Sequence, residues 1–154
     1  MPPLKIIAFM VNDRHFALPS RQVKEIIESD QDVKPLFYGG DLLKGLVNYS
    51  GDLISVLNLP LLLDIPGPVK CPTILVCRDK ESGLSVAITV SEILGIERVG
   101  VGRLELISDS KDSYIKGFIK PGRNDKGSSM ALIDLEKIAE MGLEHIKEDN
   151  GFSI

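Results

Sequence analysis

Ala17-Leu18-Pro19-Ser20-Arg21-Gln22-Val23-Lys24-Glu25-Ile26 lies without a gap over Ala87-Ile88-Thr89-Val90-Ser91-Glu92-Ile93-Leu94-Gly95-Ile96. Farther on, Lys44-Gly45-Leu46-Val47 lies over Lys116-Gly117-Phe118-Ile119, and Ile54-Ser55-Val56-Leu57-Asn58-Leu59 over Met130-Ala131-Leu132-Ile133-Asp134-Leu135. The three blocks keep their order at offsets of 70, 72 and 76 residues, and a longer hairpin in the second half absorbs the drift. One apolar run matches by chance; three in order do not. A solenoid needs three or more units to bury a continuous core, so a twofold repeat points to two small lobes that share one. Two lobes meeting at a groove make a docking module.

Between and within these blocks the apolar runs are short, rich in Val, Ile and Leu, and broken by Gly, Asn, Asp or Ser, which is the pattern of strands. Ile6–Val11 and His15–Leu18 flank Asn12-Asp13-Arg14, and Leu46–Tyr49 and Leu53–Leu59 flank Ser50-Gly51, where glycine supplies the positive φ of a tight turn. Thr73–Cys77 and Leu84–Thr89 flank the polar run Asp79–Gly83, and Ile115–Ile119 and Met130–Ile133 flank the long loop Pro121–Gly127. Helical signals are few. Ser20 is placed to cap a turn carrying Val23, Ile26 and Ile27, and Ser91 one carrying Ile93 and Leu94 that ends at Gly95. One longer helix starts with Asp134 as N-cap and carries Leu135, Ile138 and Met141 on one face; Gly142 is expected to stop or weaken it, and 142–154 to form an acidic tail.

The pattern predicts a mostly β fold of closed or nearly closed barrels. Residues 1–154 form a single domain, with lobe one over about 12–66, lobe two over about 70–141, an N-terminal strand shared between them, and Ile65-Pro66-Gly67-Pro68 as connector. A lobe of this size buries little alone, so a core shared between lobes is expected.

Composition narrows the function. Eighteen basic and 22 acidic side chains give a net charge of −4, which offers no polycationic face to nucleic acid. The longest uncharged stretch, Leu53–Leu63, falls short of the roughly 20 residues a bilayer requires. No secretory leader is read at the N-terminus, and the cytoplasm is the expected compartment. Cys71 and Cys77 match no redox or zinc spacing and read as small apolar thiols.

Little points to catalysis. His15 and His145 have no Cys, His or carboxylate at ligand spacing, so no metal is assigned. No Gly-x-Ser-x-Gly elbow exists, and Gly39-Gly40 and Gly100-Val101-Gly102 lack the context of a phosphate cradle. No catalytic residue and no cofactor is expected. Gly45 and Gly117, each just inside a strand, mark a bulge, a barrel corner or a close backbone approach. Tyr49 beside Ser50-Gly51 reads as an aromatic at an exposed hairpin tip, a favoured interface residue.

These residues together resemble the CheW-like domain family, the coupling proteins of bacterial chemotaxis. The family's opening pattern stands here as Phe16-Ala17-Leu18-Pro19 with Val23-Lys24-Glu25-Ile26, and its central pattern as Gly45-Leu46-Val47-Asn48-Tyr49-Ser50-Gly51 with Ile54–Leu59. Its closing pattern stands as Tyr114-Ile115-Lys116-Gly117-Phe118 and Leu132-Ile133-Asp134-Leu135, so the likeness spans roughly residues 4–141. The resemblance implies two intertwined, five-stranded, SH3-like β-barrels with short helical turns and one C-terminal helix, and no enzymatic activity. It implies two partners: a chemotaxis histidine kinase, bound through its own CheW-like regulatory domain, and the cytoplasmic tip of methyl-accepting chemoreceptors. Family positions for partner contact fall on Val23, Glu25, Gly45, Asn48 and Gly51, with Tyr49 and Ser50 on the same hairpin. Two departures stand out. Ser50 occupies the place of a usual arginine, and Ser55 and Asn58 replace a usual proline and aspartate. They leave room for a regulator of a non-flagellar pathway. A ligand-binding or enzymatic barrel with a pocket that no motif reveals is the alternative from another class.

Overall fold

The computed structural model describes residues 3–28, 33, 41–67, 71–107, 113–122, 127 and 129–149, the last five as backbone only. Among these residues eleven strands run in chain order: β1 (Leu4–Val11), β2 (Arg14–Pro19), β3 (Val23–Ile27), β4 (Leu43–Tyr49), β5 (Asp52–Leu57), β6 (Thr73–Asp79), β7 (Leu84–Val90), β8 (Glu92–Val99), β9 (Leu104–Leu106), β10 (Ile115–Ile119) and β11 (Met130–Ile133). Two helices follow β5 and β11: α1 (Leu59–Leu62) and α2 (Leu135–Asp149). The four hairpins expected from turn residues are all formed: β1–β2, β4–β5, β6–β7 and β10–β11. In the last, part of the connecting loop lies outside the described residues.

The strands make two sheets, ordered β8-β1-β2-β11-β10-β9 and β3-β6-β7-β5-β4. Neither follows the division of the sequence at 12–66 and 70–141. The first sheet takes β1 and β2 from the first half and the rest from the second, whereas the second takes β6 and β7 from the second half and the rest from the first. Each half therefore lends its first hairpin, β1–β2 or β6–β7, to the other's sheet. The joints are the only parallel pairings among the described residues: β2 with β11 through Ala17↔Leu132, and β7 with β5 through Ala87↔Val56. These two pairs are the same pair in the repeat.

The equivalence extends to irregularities. Lys24 is an extra residue where β3 meets β6, as Leu94 is where β8 meets β1; Lys44 is extra where β4 meets β5, as Lys116 is where β10 meets β11. Such bulges bend a strand and sharpen its twist. They also explain two corrections. The segments after Ser20 and Ser91 are strands β3 and β8, not capped helical turns; only Ser20–Gln22 makes a single 3₁₀ turn, without a side-chain cap. An added residue turns a period-2 apolar pattern into one spaced by three, which imitates a helix.

Alternation along the strands sorts the apolar residues into three clusters. Phe9, Phe16, Leu18, Leu57, Leu75, Ile88 and Ile133 meet Leu59, Leu135 and Ile138 of the helices in one large cluster between the sheets. This is the shared core expected from the repeat. The opposite faces bury smaller clusters: Ile6, Ala8, Ala17, Ile119 and Leu132 on the first sheet, and Val47, Ile54, Val56, Ile74 and Ala87 on the second. Neighbours in the repeat alternate alike, since Leu57 and Ile133 enter the shared core while Val56 and Leu132 enter the smaller ones.

Closed five-stranded barrels are not what the hydrogen bonds describe. The sheets have six and five strands and, among the described residues, remain open at β8 and β9 and at β3 and β4. The C-terminal helix also differs from expectation. Asp134 Oδ1 accepts from the N–H groups of Glu136 (3.1 Å) and Lys137 (3.4 Å), the N-cap as read from sequence. Yet α2 passes through Gly142 and reaches Asp149, so no tail begins at 142. A Cβ on Gly142 would stand 2.7 Å from Leu57 Cδ1, so the glycine is where the helix presses on the core, not where it ends. His15 lies on β2, an interior strand of the first sheet.

Candidate functional site

The β4–β5 hairpin is built from its turn outward. Ser50 (φ +51°) and Gly51 (φ +88°) form a two-residue loop with both φ positive, the geometry whose twist matches that of the flanking strands. Asn48 Oδ1 accepts from the Gly51 N–H at 3.1 Å and fixes the loop. Tyr49 and Asp52 are the last pair before it. Four residues below, Gly45 (φ +153°) sits at the Lys44 bulge, buried opposite Val56.

The expected exposure of Tyr49 is corrected. Its ring is half-buried against the small core of the second sheet, and the Arg78 guanidinium lies 5.4 Å from its centroid. Beyond the Lys44 bulge, Val47 and Tyr49 point into that core, so Asn48 and its partner Leu53 point outward, the latter 60% exposed.

Val23 and Glu25 stand on the other edge of the same sheet. The Lys24 bulge separates them: Val23 packs half-buried against the shared core, whereas Glu25 is exposed. Because β3 and β4 are opposite edges of one curled sheet, Glu25, Ile26 and Ile27 face Val47 and Asn48 across a groove of about 390 Å³. The structure thus brings Glu25 and Asn48 together, sets Ser50 and Gly51 at the exposed tip of one wall, and leaves Val23 and Gly45 as supports. Ile26, Leu53 and Arg78 were not singled out from sequence. The first two are exposed apolar residues on strands, a signal that needs the facing direction to be known. Arg78 comes from a different half.

The other sheet repeats the groove. Gly95, Ile96 and Glu97 of β8, with Ile119 of β10 and the adjoining Lys120, are the repeat counterparts of the five residues above, and they line a groove of about 310 Å³. Its chemistry is different: His15, Arg103 and Lys120 line it, with Arg103 donating to Glu97 Oε1 at 3.4 Å and to the Lys120 carbonyl at 2.9 Å. Leu94 and Ile96 on its edge strand are largely exposed. One fold element therefore appears twice with unlike charge.

Other chemistry is sparse. Burial pushes the Cys77 thiol up to about 12 from 9.0, which leaves it neutral and unreactive. Cys71 is half-buried, its Sγ 3.5 Å from Ser91 Oγ, and both cysteines are free. Among the described residues no group of three or more His, Cys, Asp or Glu is placed to hold a metal ion, and no helix is long and apolar enough to cross a membrane.

Comparison with known proteins agrees with this geometry. No curated relative matches the sequence. Among solved structures, the scaffolding protein TtCheW from Thermoanaerobacter tengcongensis superposes with a TM-score of 0.70 at 18% identity, over 86% of this chain and 90% of that one. The likeness is one of fold. The family model described as the CheW-like domain matches residues 5–142, which takes in both sheets, both grooves and the start of α2. The chain belongs to the CheW-like domain family.

Proposed function

We propose that this protein is a non-enzymatic scaffold of chemotaxis signalling that couples the cytoplasmic tips of methyl-accepting chemoreceptors to a histidine kinase. It does so in the cytoplasm, holding the kinase by that protein's CheW-like regulatory domain. One observation carries the reading: two repeat-related grooves of unlike charge, each with a sheet-edge strand in its wall, belong to one molecule with one shared core. Edges left unpaired accept strands or helices of a partner, and two such surfaces on one core make a bridge. The partner-facing residues in this reading are Glu25, Asn48, Tyr49, Ser50 and Gly51, with Val23 and Gly45 holding the edges in shape. Co-elution of the purified protein with a receptor cytoplasmic fragment and the kinase regulatory domain tests it. A ternary complex is expected, and binding to neither partner would defeat the proposal. Ser50 favours a second reading, a CheW-like regulator of a non-flagellar pathway, for which the kinase domain alone would bind.

A further inference from the structure

Between Leu46 and Ser55 the β4–β5 hairpin has no basic side chain, yet a guanidinium sits at its tip. Arg78 reaches there from β6 across β7. Its Nε donates to Ser85 Oγ on β7 at 2.9 Å, its Nη2 to Asp52 Oδ2 on β5 at 2.9 Å, and its Cζ lies 5.4 Å from the Tyr49 ring centroid on β4. One side chain thus touches three strands. It remains about a third exposed, and among the described residues Nη1 has no hydrogen-bond partner.

An ion pair as exposed as Arg78–Asp52 adds little to stability, so the arrangement is better understood by what it orients. A guanidinium held through three groups has given up its rotamer freedom before any partner arrives, and its planar fork suits a carboxylate. The half-buried Tyr49 ring supplies apolar surface beside it. An arginine beside apolar surface is the usual make-up of an interface anchor. In the hairpin, where Asp52 is the charged residue between Leu46 and Ser55, Arg78 supplies the cation.

We propose that Arg78 is a specificity-determining residue of the docking surface, presenting the unengaged edge of its guanidinium to an Asp or Glu side chain of a protein partner. The inference rests on the docking role proposed above. The test is titration of wild type and Arg78→Gln against the receptor fragment and the kinase regulatory domain at low and high salt, with amide exchange of residues 46–55 measured in parallel. Arg78→Gln is expected to bind one partner at least tenfold more weakly at low salt, with the gap narrowing as salt screens the contact, and with hairpin protection retained. If Arg78→Gln fails to fold, Arg78→Lys replaces it, and a loss of at least threefold for one partner is expected because the fork is gone. Unchanged binding to both partners overturns the inference alone. Equal weakening of both with loss of hairpin protection also overturns it, since Arg78 would then be structural. Wild type binding neither partner overturns the coupling role and this inference with it.

Discussion

A Cβ on Gly51 would meet no atom within 4 Å, yet the φ of +88° strains any β-branched residue. Gly51→Val should therefore destabilise the protein by about 1–3 kcal/mol through the backbone alone. Ser50, also at positive φ but already non-glycine and exposed, is different: Ser50→Arg should shift stability by no more than about 0.5 kcal/mol while changing affinity for one partner. Urea melts and titration of both variants check this, and unchanged binding of Ser50→Arg to both partners would remove the turn from either interface. Cys77 offers a pH test. Its folded pKa, about 12, lies above the unfolded 9.0, so folding favours the protonated thiol. That contribution is intact below about pH 9 and is lost as pH rises toward 12, at about 1.4 kcal/mol per pH unit in between. Wild type should lose stability from pH 8 to 10.5 more steeply than Cys77→Ala; equal slopes would refute the assignment.

At the scale of elements, the helix α2 and the edge strands show what could and could not be read from sequence. Hairpins were legible because Asn12, Ser50-Gly51 and Asp79–Gly83 combine turn chemistry with flanking apolar runs, and the N-cap at Asp134 because capping is local. The bulged strands were not, since one added residue at Lys24 or Leu94 changes the apparent period. Gly142 was misassigned because its reason, contact with Leu57, lies 85 residues away in the chain. The same contact makes a prediction. Alanine at an exposed helical glycine would gain about 1 kcal/mol, but here the new methyl meets both Leu57 methyls at 2.7 and 3.2 Å in a buried cluster, and overpacking costs about 1–3 kcal/mol. Gly142→Ala should be net destabilising in thermal melts. Asp134→Ala, which strips the cap, should cost about 1 kcal/mol. A stabilised Gly142→Ala would mean the helix can slide off Leu57. The proposed site divides in the same way: Glu25, Asn48 and Gly51 come from motifs that resemble the family's, whereas Arg78 over Tyr49 depends on which strands become neighbours.

For the whole molecule, the repeat revealed equivalent positions but not which copy pairs with which. That depends on Ala17↔Leu132 and Ala87↔Val56, pairings between halves that no local pattern encodes. Since each sheet takes strands from both halves, fragments 1–67 and 71–154 should each be unfolded alone and should fold together when mixed. Circular dichroism and amide chemical-shift dispersion of the separate and combined fragments test this. A well-dispersed spectrum from either fragment alone would show that its strands find partners within one half. The intact chain should unfold in one transition, because the large cluster draws on both sheets and both helices.

The exchanged hairpins have one more consequence. A single half could make these contacts only by pairing with a second copy of itself, and any substitution would then appear on both sides of the symmetry axis. Both grooves would have to change at once, and their formation would depend on concentration. Joining the halves in one chain makes assembly intramolecular and releases the two sides from each other. Glu25 can stand where the far side has Gly95, and Asn48 where it has Lys120, with the same backbone beneath. Symmetry is kept where packing needs it and given up in the grooves, so one inherited shape presents two unlike surfaces.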